Sequence, residues 1–113
     1  MRRSALILVV VLAGCGSEKP AATPAPTPAA VVPVAMRDIK FVPARVTVTV
    51  GQTVRWTNQD KVTHTVASAA LKFASEGIDG GQSYQYRATK PGRFPYYCTI
   101  HAGQTGVLVV RPR

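Results

Sequence analysis

The chain has 113 residues and a mass of 12.1 kDa, which allows one domain and leaves no room for a second core. Its hydrophobic fraction of 46% excludes global disorder, and nine prolines with nine glycines in so short a chain argue against a helical bundle. The formal charge is +9, yet the basic residues are scattered with no run of five, and only two cysteines and two histidines are present to support metal or nucleophile chemistry.

The first segment is a targeting signal rather than part of a fold. Met1-Arg2-Arg3 is a positive start, and residues 4–12 (SALILVVVL) form an apolar run too short to span a bilayer as an ordinary helix. Leu12-Ala13-Gly14-Cys15 follows directly. This resembles the bacterial lipobox, in which cleavage precedes the cysteine and its thiol is acylated. Residues 1–14 are therefore expected to be a lipoprotein signal peptide, with Cys15 carrying the lipid. Residues 16–33 (GSEKPAATPAPTPAAVVP) are rich in proline, which locks φ and removes backbone donors. The stretch 15–33 reads as a semi-rigid tether, each residue adding up to about 3.1 Å of reach, that lifts a soluble domain off a membrane. Gly16 lacks the acidic retention signal of inner-membrane lipoproteins, which in a Gram-negative cell points to the outer membrane. With Cys15 lipidated, Cys98 is the sole free thiol and no intramolecular disulfide can form.

The domain itself is expected over residues 34–113. Asp38-Ile39-Lys40-Phe41 reads as its first strand. Residues 46–50 (VTVTV) alternate apolar and polar with period two, the pattern of a half-buried strand. Gly51-Gln52 marks a turn, 53–57 (TVRWT) a second such strand, and Asn58-Gln59-Asp60 a loop. His64-Thr65-Val66-Ala67 reads as a short strand and 69–81 as loop. Residues 83–87 (SYQYR) alternate again, Lys90-Pro91-Gly92 is a turn, 93–97 a strand, and 106–111 (GVLVVR) the last. Trp56 and Phe94 are expected in the core. No internal repeat and no amphipathic helical window occurs, so the pattern predicts an all-β, antiparallel β-sandwich.

The chemistry concentrates between the last two strands. Cys98 and His101 lie three residues apart on one tight loop, and His64, the other histidine, follows the Asn58 loop. Two imidazoles, a thiolate and a weak axial ligand are the donor set of blue-copper electron-transfer sites. On these residues, together with Val54-Arg55-Trp56-Thr57-Asn58, His64-Thr65-Val66 and Lys90-Pro91-Gly92-Arg93-Phe94-Pro95-Tyr96-Tyr97-Cys98, the domain resembles a cupredoxin of the plastocyanin and amicyanin type. The resemblance covers essentially all of 34–113. It implies a Greek-key sandwich holding one type 1 copper ion, with His64, Cys98 and His101 as equatorial ligands. It further implies a backbone N–H near the first histidine donating to the Cys98 sulfur, and a His101 ring exposed through an apolar patch that includes Ile100, Ala102 and Gly103. Thr65 and Thr99 flank ligands and are placed to hydrogen-bond across the two loops, and the Thr63 carbonyl stands where some relatives have a fifth ligand.

One position departs from the family pattern. The family loop reads Cys-x-x-His-x-x-Met, and here the last position is Gln104. Met36, near the tether, does not replace it by sequence position. Stellacyanin-like phytocyanins use an axial glutamine, so Gln104 Oε1 is the expected axial ligand. An amide oxygen is a harder donor than a thioether and favours Cu(II).

The implied function is a membrane-anchored carrier of single electrons between redox partner proteins, not an enzyme, on the extracytoplasmic face of a bacterium (periplasmic face or cell surface). A copper lipoprotein for storage, delivery or tolerance uses the same ligands. Zinc could take the same donors, though closed zinc sites usually carry more thiols. A nucleophilic Cys98 lacks an orienting group and a cleft, and a metal-free adhesion sandwich leaves the Cys/His spacing unexplained. Loss of Arg2 and Arg3 with the signal lowers the charge to about +7. On a lipid-anchored monomer, that charge suits an acidic redox partner or anionic lipid rather than nucleic acid.

Overall fold

Alternation along the chain becomes alternation between core and solvent. Residues 30–113 are described by the computed structural model, and they form nine strands and no helix. In chain order these are β1 (Val31–Arg37), β2 (Lys40–Val42), β3 (Arg45–Thr49), β4 (Thr53–Asn58), β5 (Ala67–Ser68), β6 (Phe73–Ala74), β7 (Ser83–Arg87), β8 (Gly92–Tyr97) and β9 (Thr105–Arg111). The signal peptide, Cys15 and the tether up to residue 29 lie outside the described residues.

The strands build two sheets, one ordered β2-β1-β4-β7 and the other β3-β9-β8-β5-β6. Every second residue of β4 and β8 turns inward: Val54 and Trp56 from one sheet, Phe94 and Tyr96 from the other. Val34 and Met36 of β1, Val46 and Val48 of β3, and Leu108 and Val110 of β9 complete the apolar layer between them. Trp56 is fully buried and meets Tyr96 edge-on at 5.3 Å between ring centroids, and Phe41 meets the same tyrosine at 4.8 Å. Burial raises the Tyr96 hydroxyl pKa to about 12. Gly106 faces this tyrosine across the β8–β9 ladder, and any side chain there would run into the ring.

The expected sandwich is present, with four differences. It is not wholly antiparallel: β1 pairs β4 in parallel and β3 pairs β9 in parallel. The first strand is not 38–41. Asp38 and Ile39 both have positive φ (53° and 57°) and form a two-residue turn joining β1 to β2. The ordered sheet also begins at Val31, three residues before the boundary expected at 34, so Pro33 belongs to a strand. Its missing N–H is tolerated because β2 pairs only with Ala35, Met36 and Arg37, leaving one flank of β1 open beside Pro33. Finally, His64 to Val66 do not form a strand: His64 makes a single bridge to Ile78, and the pairing strand is the two-residue β5.

Candidate metal centre

Two chain segments meet at one end of the sandwich. The first runs from the end of β4 to His64. Asn58 is completely buried and saturated: its Nδ2 donates to the Val62 and Ile78 carbonyls at 2.7 and 2.8 Å, and its Oδ1 accepts the Asp60 N–H at 2.8 Å. This Asx-type turn fixes the loop. His64 is then pinned to Ile78 by reciprocal backbone bonds of 3.0 and 2.7 Å. The second segment is the β8–β9 loop. The Cys98 N–H donates to the Gln104 carbonyl at 2.9 Å, Gln104 N–H to the His101 carbonyl at 3.3 Å, and Gly103 turns the loop at φ 83°.

These frames bring His64, Cys98 and His101 together, with ligand atoms within 4.8 Å of one another. His64 Nδ1 and His101 Nδ1 are 3.2 Å apart, and Cys98 Sγ lies 3.7 Å from His101 Nδ1. His64 Nε2–H donates to Asp60 Oδ2 at 2.8 Å. A carboxylate only accepts, so the neutral ring carries its proton on Nε2 and turns the Nδ1 lone pair towards the other two donors. His64 is buried and His101 half-buried, so of the two imidazoles only His101 reaches the surface, beside exposed Ile100, Ala102 and Gly103.

Cys98 is free and buried. Burial opposes its ionisation, but the backbone N–H groups of Thr65, Ile100 and His101, with the His101 ring, outweigh it and lower the pKa to about 6. The Thr65 N–H to Sγ distance is 3.4 Å, which is the sulfur bond the family resemblance implies. The two threonines interlock across the loops. Thr65 Oγ1 accepts the Thr99 N–H at 2.7 Å and lies 2.7 Å from the Thr99 hydroxyl.

Gln104, just before β9, is 1% exposed, and neither its Oε1 nor its Nε2 has a hydrogen-bond partner. A buried amide left so costs free energy unless something else engages it. Met36 is a core side chain of β1. Asp60 and Asn58, which organise His64, were not foreseen as site residues; an Asx-turn residue followed by an acid four positions before a histidine is the signal that could have found them.

A protein-family model described as a cupredoxin-like domain matches residues 4–110. The chain belongs to the cupredoxin-like family. Among curated proteins this cupredoxin is similar to amicyanin of Paracoccus versutus, with 32% identity over 99 residues covering 83% of this chain and 74% of amicyanin. The solved amicyanin of the same organism superposes with a TM-score of 0.67 at 28% identity, covering 72% of this chain and 81% of the other. A methionine-to-glutamine mutant of amicyanin, in its Cu(I) form, superposes with a TM-score of 0.66 at 30% identity, covering 72% and 82%.

Proposed function

We propose that this cupredoxin carries single electrons between redox partner proteins through one type 1 copper ion held by His64 Nδ1, His101 Nδ1 and Cys98 Sγ. The observation that carries this reading is the convergence of those three atoms, two imidazole nitrogens and a cysteine sulfur, within 4.8 Å on the family's sandwich. A copper ion held by these residues would supply one-electron Cu(II)/Cu(I) chemistry between a donor and an acceptor. The chain supplies the frame. Thr65 and the loop N–H groups stabilise the sulfur's negative charge, and the cross-loop hydrogen bonds hold the donors in one arrangement for both oxidation states. His101 gives the exposed edge by which an electron enters or leaves.

In this reading Gln104 Oε1 would also hold the copper, in the axial role that the family resemblance implies. Support comes from its burial without a hydrogen-bond partner, which coordination would relieve. The existence of a glutamine-substituted amicyanin in the Cu(I) form is compatible with it. The cationic surface suits an acidic partner, whose approach it would accelerate at low salt. In this reading residues 1–14 are the signal peptide, Cys15 carries the lipid and 15–33 are the tether, of which Val31–Pro33 also enter β1, and the domain works outside the cytoplasm of a bacterium.

The test is a visible and EPR spectrum of the purified chain with one equivalent of Cu(II). An intense thiolate-to-copper band, bleached by ascorbate and restored by an oxidant, is expected. A colourless chain, or one that prefers zinc, would demote electron transfer below metal handling. Gln104→Met is expected to raise the reduction potential, because thioether favours Cu(I) relative to amide oxygen. An equal or lower potential in that variant removes Gln104 from the ligand set.

A further inference from the structure

We infer that Asp60 is a positioning residue for the metal centre: its carboxylate clamps His64 with Nδ1 facing the ligand cluster, and its charge favours Cu(II) over Cu(I). This inference rests on the copper reading above, but its geometry is independent of it. Asp60 Oδ2 accepts from His64 Nε2 at 2.8 Å and from the Ile39 N–H at 3.0 Å, while Oδ1 accepts the Asp38 N–H at 2.8 Å. Its own N–H is held by Asn58 Oδ1 at 2.8 Å. The carboxylate is thus fixed from three sides, and its side chain is only 15% exposed. The histidine it holds is fully buried.

The β1–β2 turn has an unusual role in this arrangement. Asp38 and Ile39 both take positive φ, a conformation that points their two successive N–H groups at one acceptor. The turn is a cradle for the Asp60 carboxylate, not only a reversal of the chain. Both carboxylate oxygens are met only by N–H donors, which suits the acceptor-only, ionised form. An anionic acceptor on the far nitrogen of an imidazole raises the basicity of the near nitrogen. A stronger, more anionic donor set stabilises the higher charge of Cu(II). A backbone carbonyl at that place would orient the ring equally well but bring no net charge.

The experiment has two arms on the full chain. In the metal-free chain above pH 8, a long-range proton–nitrogen NMR spectrum is expected to find the His64 proton on Nε2, with slowed exchange. Asp60→Asn should speed that exchange or shift the tautomer. In the copper-loaded chain, Asp60→Asn keeps the shape and removes the charge. The ratio of Cu(II) to Cu(I) affinity is expected to fall about tenfold, a loss typical of outer partners of a metal ligand. That is a rise in potential of about 59 mV for one electron. An unchanged ratio, or a native His64 protonated on Nδ1, overturns the proposal. Absence of the thiolate-to-copper band in the native chain would instead sink the copper reading, and the tautomer arm would still decide whether Asp60 clamps His64.

Discussion

A single hydroxyl sits at the junction of the two segments that carry the candidate ligands. Thr65 Oγ1 accepts the Thr99 N–H, faces the Thr99 hydroxyl and lies 3.7 Å from the Cys98 sulfur. Its neighbour is not equivalent. Replacing Thr65 by Val conserves shape but leaves the Thr99 N–H without its acceptor, whereas Thr99→Val keeps that bond intact. An unmet donor costs about 1–3 kcal/mol where it is shielded from water. Urea unfolding of the metal-free chain should therefore find Thr65→Val destabilised by about that amount and Thr99→Val, on an exposed residue, by clearly less. Equal losses would mean that the hydroxyl pair, not the N–H bond, ties the loops together. The same comparison separates loop cohesion from sulfur chemistry, since both variants retain the Thr65 backbone N–H to Cys98.

At the level of elements, the β1–β2 turn is where local preference yields to tertiary demand. Two-residue hairpins with both φ values positive favour Asn-Gly or Asp-Gly, and β-branched residues are rare there. Ile39 occupies the second position, is 45% exposed, and uses its N–H to hold Asp60. Ile39→Gly retains that N–H and removes the steric strain, so a gain of about 1 kcal/mol is expected. For a domain of this size that is a rise in melting temperature of about 4–8 °C; a fall would show that the isoleucine side chain contributes packing that outweighs its backbone cost. The residue's identity is also why this hairpin was illegible. Nothing in Asp38-Ile39 signals a turn, so 38–41 resembles a strand, and the prolines before it mask β1 as tether. By contrast β3, β4, β7, β8 and β9 were legible because each has period-two alternation or a clear turn beside it. The parallel pairings of β1 with β4 and β3 with β9 were not, since alternation reports which face is buried and carries no strand direction. In the site, Cys98 and His101 announce themselves by spacing and His64 by being the only other imidazole. Asp60 needed the fold, because its meaning lies in a turn twenty-odd residues earlier in the chain.

For the molecule as a whole, the candidate donors come from two places far apart in sequence, His64 on one side and residues 98–104 on the other, joined through a sandwich whose sheets include the non-local pairs β1–β4, β4–β7 and β3–β9. An ion bound by both segments acts as a cross-link between them, and it binds the folded arrangement far better than an unfolded chain that must close the loop first. Stability should then rise with ligand occupancy by mass action, about 2.7 kcal/mol at a free-ion concentration one hundred times the dissociation constant. At about 4–8 °C per kcal/mol, loading with copper is expected to raise the melting temperature by roughly 10–20 °C. Cys98→Ser separates this from non-specific effects: it keeps the loop and both imidazoles but replaces the soft donor, so most of the increment should vanish while the metal-free melting temperature changes little. Equal melting temperatures for the loaded and metal-free native chain would mean that the two segments are not bridged, and would count against a single centre built from His64, Cys98 and His101.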